Sequence, residues 1–307
     1  MAALLQRFGS ALVAITGVAV LVFLLTHVIP GDPVEVLLGE LASPGDRAAM
    51  ATALGLDQPL YRQFTQYFAG LLRGDLGESL FYRRGVADLL LERAAPTLQL
   101  AAAGLLCALL IALPLGLVAA LRPNSPWDRL SMGLSLAGVS IPNFWLGPLL
   151  MLLFALQLGW LPVSGRESAA ALVLPAVTLG SGLAAVLARM LRTSLLEVLG
   201  QDYVRTARAK GLSPGRVVMR HALANALLPL ITVLGLQLGV VLGGVVIVET
   251  VFSWPGLGSL TVEAIQRRDY PLVQGCVLLI AASYVLVNSA TDWLYTRIDP
   301  RVRILDR

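Results

Sequence analysis

Residues 94–121 read AAPTLQLAAAGLLCALLIALPLGLVAAL, a run of 28 residues without one Asp, Glu, Lys or Arg. A bilayer core about 30 Å thick takes about 20 apolar residues in a helix rising ~1.5 Å per residue, so this run can cross it. In lipid a segment must satisfy its own backbone N–H and C=O groups, which a helix does internally. The chain is therefore read as a membrane protein built from helices.

Five more uncharged stretches surround it: Phe8 to Gly31, Leu130 to Gly165, Ser168 to Ala188, Ala222 to Val248 and Tyr270 to Thr291. Composition agrees, with 57% apolar and 14% charged residues among 307, against about 25% charged in soluble domains. The first stretch follows Arg7 as a signal peptide would, but it is long and ends in Val28-Ile29-Pro30 without a small-x-small cleavage site, so it is read as a retained span. Leu130 to Gly165 is too long for one span. Its end, Gly159-Trp160-Leu161-Pro162, joins an interfacial aromatic to helix breakers, so the span is expected to stop near Leu158; a hairpin with the next stretch is the alternative. The expected fold is all-α integral membrane, a single domain over 1–307 with six transmembrane helices near 9–29, 96–120, 132–158, 170–189, 223–248 and 272–293.

Charge sets the orientation. With both termini inside, the inner pieces hold 14 of the 23 basic residues and 6 of the 19 acidic ones, a net of +8 against −4 outside. Lys and Arg gather on the cytoplasmic side, so this topology is the expected one. It explains the basic balance without nucleic acid, for which a basic patch with aromatic interleaving is missing. Cys107 and Cys276 fall inside spans and imply neither a disulfide framework nor a redox compartment.

The hydrophilic segment 30–95 is expected outside and helical. Ser43-Pro44 offers an N-cap and a first helical residue, Gly55 a stop, and Pro59 a second start. Leu60, Phe64, Tyr67, Phe68, Leu71 and Leu72 then recur at helical spacing, giving one apolar face to bury. Val86 to Ala94 is a third amphipathic stretch, leading through Pro96 into the second span. A passive cap and a receptor-docking surface are both open readings of the segment.

Several chemistries are excluded. Lys210, the only lysine, is followed by Gly211-Leu212, whereas a phosphate-binding loop needs lysine followed by Ser or Thr, so ATP must act through a partner. His27 and His221, the only histidines, stand at opposite faces with no Cys or second His at ligand spacing, so no metal site is expected. Ion-coupled carriers place ionisable residues in mid-span; here Arg189, Glu249 and Asp292 lie at span ends, within expected reach of water.

The basic loop 190–222 between the fourth and fifth spans is too regular for a tether. Tyr203, Val204, Ala207 and Leu212 stand among Arg205, Arg208 and Lys210, as in a short surface helix that inserts into a groove on a partner. An amphipathic helix on anionic lipid headgroups is the alternative. Gly211 ends this helix and Ser213-Pro214 starts the next. The run from Asp202 through Tyr203, Arg205, Ala207, Arg208 and Lys210 to Gly211 and Leu212, followed by His221-Ala222-Leu223-Ala224-Asn225-Ala226-Leu227-Leu228-Pro229, resembles the coupling loop of peptide permeases in bacterial ATP-binding-cassette importers.

Further motifs similar to that family's are Pro30-Gly31-Asp32-Pro33, Gly55-Leu56-Asp57-Gln58-Pro59-Leu60-Tyr61, Gly74-Asp75-Leu76-Gly77, Phe252-Ser253-Trp254-Pro255-Gly256-Leu257-Gly258 and Arg268-Asp269-Tyr270-Pro271. Arg205-Thr206-Ala207 stands where the general importer motif has Glu-Ala-Ala, the peptide-type variant. The resemblance covers nearly the whole chain. It implies a methionine-importer-like permease domain in the bacterial cytoplasmic membrane, paired with a second homologous permease, two cytoplasmic ATPases holding ATP and Mg²⁺, and an external substrate-binding protein. It also implies that the short loop helix docks on the ATPase, that the chain itself has neither catalysis nor cofactor, and that the cargo is di- or oligopeptide, glutathione or nickel.

Two features remain. Gly235, Gly239 and Gly243 form overlapping G-x-x-x-G steps that let another helix approach, with packing inside the subunit favoured. Glu249 to Gly258, containing Trp254, Pro255 and Gly256, cannot continue a helix and is expected to form a re-entrant or capping outer gate; an interfacial aromatic anchor is the plainer reading.

Overall fold

The computed structural model describes residues 2–28, 33–39 and 42–298. The helices are α1 (Ala2–Val28), α2 (Pro33–Leu38), α3 (Pro44–Ala53), α4 (Leu60–Leu72), α5 (Val86–Leu121), α6 (Pro126–Ser140), α7 (Asn143–Leu150), α8 (Val173–Leu199), α9 (Asp202–Ala209), α10 (Pro214–Arg216), α11 (Leu223–Val251), α12 (Leu257–Gln266) and α13 (Tyr270–Ile298). Wider π-helical turns continue α7 through Met151–Gln157 and join α10 to α11 through Val217–Ala222. Five helices are long and apolar enough to cross a membrane, and α6 with α7 makes a sixth if the bent pair is one span. Pro30, Gly31 and Asp32 of the first motif lie outside the described residues.

Two expectations need correction. The single helix over 132–158 does not form: α6 and α7 meet at 107°. Pro142 brings no N–H and disfavours helical backbone at the residue before it, and Ile141 is extended at φ −91°, ψ 115°. The loop expected to begin at 190 is helix up to Leu199, because α8 continues past its apolar run.

The chain forms two compact units, Met1–Thr97 with Pro255–Val285, and Leu98–Trp254 with Leu286–Arg307. In the first, the Ser43 hydroxyl accepts the Asp46 N–H at 3.2 Å and Pro44 opens α3. The apolar face of α4 meets α1, with Phe64 and Tyr67 ring centroids 5.2 and 5.7 Å from that of Phe23. Leu60 and Leu72 stay exposed at the ends of the stripe. Val86, Leu89 and Leu90 of α5 pack with Leu260 of α12 and Leu272 and Cys276 of α13. The buried Asp269 caps α13: its carboxylate accepts the Leu272 N–H at 3.3 Å, and also the Ser79 hydroxyl at 2.5 Å and the Phe81 N–H at 3.1 Å, which ties the turn before α5 to the head of α13.

In the second unit α8 is central, packing against α6 and α11. Its Leu183, Leu187, Leu191 and Leu195 share a core with Leu100, Ala108 and Ala112 of α5 and Ala226 and Leu230 of α11. The α5–α8 crossing depends on glycine, since a Cβ on Gly180 would lie 2.5 Å from the Gly104 carbonyl and one on Gly116 would lie 2.8 Å from that of Ala188. Side chains there would force the backbones apart. Of the glycines singled out in the sequence, Gly235 closes against Thr291 of α13 within the unit, while Gly243 faces open space.

Candidate coupling site

The 202–212 segment folds as a short helix held onto its own chain. Gln201 is extended and opens α9, Asp202 takes the first turn, and Gly211 at φ +80° turns the chain away. Val204 and Ala207 point inward, 0% and 7% exposed, and pack with Val217, Val198, Leu199 and Leu212. The small apolar face read as inserting into a partner's groove is thus already covered by the end of α8 and by the turn after α9. That face is an internal packing contact, and Ala207 is removed from the candidate docking surface.

What α9 leaves outward is its polar rim: Asp202, Tyr203, Arg205, Arg208 and Lys210 are all exposed, with Gly211 beside them and Leu212 half-buried. Arg205 and Asp202 form an ion pair at 3.3 Å that is 75% and 95% exposed, so water screens it and it leaves the cations available. The Tyr203 hydroxyl accepts from Asn225 Nδ2 at 2.8 Å, and Asn225 also donates to the His221 carbonyl at 3.1 Å. The two halves of the motif quoted from the sequence therefore meet in space, joining α9 to the first turn of α11.

A second anchor escaped sequence reading. Asp128 is 4% exposed and receives both Nε and Nη2 of Arg192 at 2.7 Å, a bidentate pair between α6 and α8. Asp128 also accepts the Asn124 N–H at 2.9 Å, while its own N–H goes to Ser125 Oγ at 3.2 Å. The Ser125-Pro126-x-Asp128 pattern could have placed Asp128 in the first turn of a helix. Nothing in the sequence pointed to Arg192 as its partner.

The candidate gate is differently built from expectation. Glu249 is 0% and Trp254 1% exposed, so neither the reading of Glu249 as reachable by water nor that of Trp254 as an interfacial anchor holds. The chain turns back here: Ser253 adopts φ +50° and the Trp254 N–H returns to the Glu249 carbonyl at 2.8 Å, and Trp254 joins the core that holds Val248 and Phe252. The Gly165 N–H caps the Phe252 carbonyl at 3.1 Å, and the Arg166 guanidinium stands 5.9 Å over the Trp254 ring. In the other unit, Gly256 precedes α12 with its N–H on Ser259 Oγ at 3.1 Å, and Pro255 is half-buried. Among the described residues no group of three His, Cys, Asp or Glu side chains could hold a metal ion.

Comparison with known proteins gives a consistent result. Residues 112–304 match the family described as binding-protein-dependent transport system inner membrane component, and residues 1–101 match the N-terminal family of such membrane components. The chain is 46% identical over 327 residues to the di/tripeptide transport system permease protein of Pseudomonas aeruginosa, with 97% of each chain covered. It is also 46% identical over 286 residues to the glutathione transport system permease protein of Escherichia coli, covering 93% of this chain and 94% of that one. Among solved structures, the inward-facing MetNI methionine ABC transporter has the same fold, with a TM-score of 0.56 at 22% identity over 69% of this chain and 96% of that one.

Proposed function

The chain belongs to the inner membrane component family of binding-protein-dependent transport systems, and from that premise we propose that it forms half of the pathway by which an ATP-binding-cassette importer carries di- and oligopeptides inward. ATP and Mg²⁺ are used by two cytoplasmic ATPases; a second homologous permease completes the pathway, an external substrate-binding protein delivers cargo, and both termini lie in the cytoplasm.

The observation that carries the coupling mechanism is the two-sided anchoring of α9. Its inner face packs on Val198 and Leu199 at the end of α8, and its Tyr203 is bonded to Asn225 of α11. Closure of the ATPase dimer against the rim formed by Asp202, Tyr203, Arg205, Arg208 and Lys210 displaces α9, and α8 and α11 follow because they are attached to it. Through Arg192 and Asp128 the same displacement reaches α6. The chain itself makes and breaks no covalent bond. At the far end of α11, the segment containing Glu249 and Trp254, continuing into Pro255 and Gly256, acts as the outer gate.

The peptide reading draws on the di/tripeptide relative; glutathione, itself a tripeptide, is the second reading, favoured by the equally similar glutathione permease. Uptake of labelled dialanine and of labelled glutathione into vesicles holding the assembled complex decides between them. Dialanine uptake that needs both ATP and the external receptor is expected. Uptake by this chain alone, without ATP, would overturn the importer reading.

A further inference from the structure

Within the first unit a cavity of about 330 Å³ opens between α1, α4 and the head of α13, within the ~300–1,000 Å³ range of small-molecule sites. His27 lies in its wall with both ring nitrogens engaged. Nδ1 is 2.7 Å from the Phe23 carbonyl oxygen, and Nε2 is 3.0 Å from Gln63 Oε1. The orientation of that amide is fixed, because Gln63 Nε2 donates to the carbonyls of Gln58 at 2.8 Å and Leu56 at 3.3 Å. Turning it over would set Oε1 against two other oxygens. Both ring nitrogens therefore face acceptors, and only the doubly protonated imidazolium donates to both. Because the two acceptors are neutral, neither cancels its charge.

Tyr67 of α4 supplies the second element. Its hydroxyl is buried and has no hydrogen-bond partner among the described residues, although Tyr67 lines the same cavity. Burial pushes this phenol up to about 12, so it remains an O–H donor in any working buffer. The other titratable groups on the cavity are Tyr270 from α13 and Asp75 from the turn after α4, whose Oδ1 accepts the Gly77 N–H at 2.8 Å. A histidine held between two neutral acceptors, an unused donor, one carboxylate and aromatic walls describe a receptor for a small zwitterion.

We propose that this cavity binds the free carboxylate of a short peptide, with the Tyr67 hydroxyl donating to it, the His27 imidazolium stabilising it through space and Asp75 facing the ammonium end. The choice of a peptide rests on the importer reading above; the carboxylate chemistry does not.

Calorimetry on the assembled complex in nanodiscs, without the external receptor, tests the site with dialanine and its C-terminal amide as titrants. Dialanine is expected to bind, with the amide about tenfold weaker. Tyr67→Phe, which removes one oxygen and no packing volume, is expected to weaken dialanine by a similar factor. His27→Gln, which keeps a hydrogen-bonding side chain but can carry no charge, is expected to weaken dialanine as well. Equal binding of acid and amide, unchanged binding in Tyr67→Phe, or no binding at all would overturn the proposal. Receptor- and ATP-dependent dialanine uptake by the same preparation reports separately on the importer reading, so either can fail alone.

Discussion

The Asp128–Arg192 pair concentrates the lesson at the scale of the residue. A bidentate, almost water-free carboxylate leaves a strong demand on its partner if cut. Asp128→Asn removes the charge while Arg192, 26% exposed in its side chain, keeps its own. The expected cost is about 2–3 kcal/mol, at the low end for broken buried pairs because Arg192 retains some water. It is read as a lowered thermal midpoint of the purified complex; an unchanged midpoint would show that the pair is not structural. The position of Asp128 at a helix start was legible in Ser125-Pro126, a local rule. Its partner, separated by 64 positions, was not, because periodicity and capping patterns carry no information on which helices become neighbours. The same limit hid the burial of Glu249 and Trp254.

At the scale of the element, α9 separates two kinds of residue that the sequence placed in one group. Val204→Asp puts an unpaired carboxylate into the contact with Val198 and Val217, and is expected to detach α9 and abolish transport together with local proteolytic protection. Arg208→Glu alters only the exposed rim, so stability should stay within about 0.5 kcal/mol while ATP-driven uptake falls by an order of magnitude or more; loss of stability there would place Arg208 in the fold instead. The α5–α8 crossing yields another expectation: Gly180→Ala drives a methyl against the Gly104 backbone, costing about 1–3 kcal/mol by overpacking, measured by thermal unfolding. Helix starts at Ser43-Pro44 and Pro59 and the stop at Gly211 were readable because capping is local chemistry. The bend at Pro142 was readable in principle, yet the long uncharged run around it masked the break. Close approach at Gly104, Gly116 and Gly180 was not, since their i, i+4 spacing is absent.

For the whole molecule, hydropathy decided the class: apolar stretches long enough for lipid leave helices as the economical answer, and the family comparison agrees. The division into two compact units was invisible in the sequence, because α5 and α13 each run through both and no linker marks the change. The central claim, that the exposed rim of α9 is where an ATPase engages, has a direct test in the composition itself. Lys210 is the only lysine, so an amine-reactive crosslinker applied to the assembled complex can attach to this chain only there or at the N-terminal amine. Mass spectrometry is expected to find Lys210 joined to the ATPase subunit; Lys210 joined only to the external receptor, or left freely reactive in the full complex, would contradict the account.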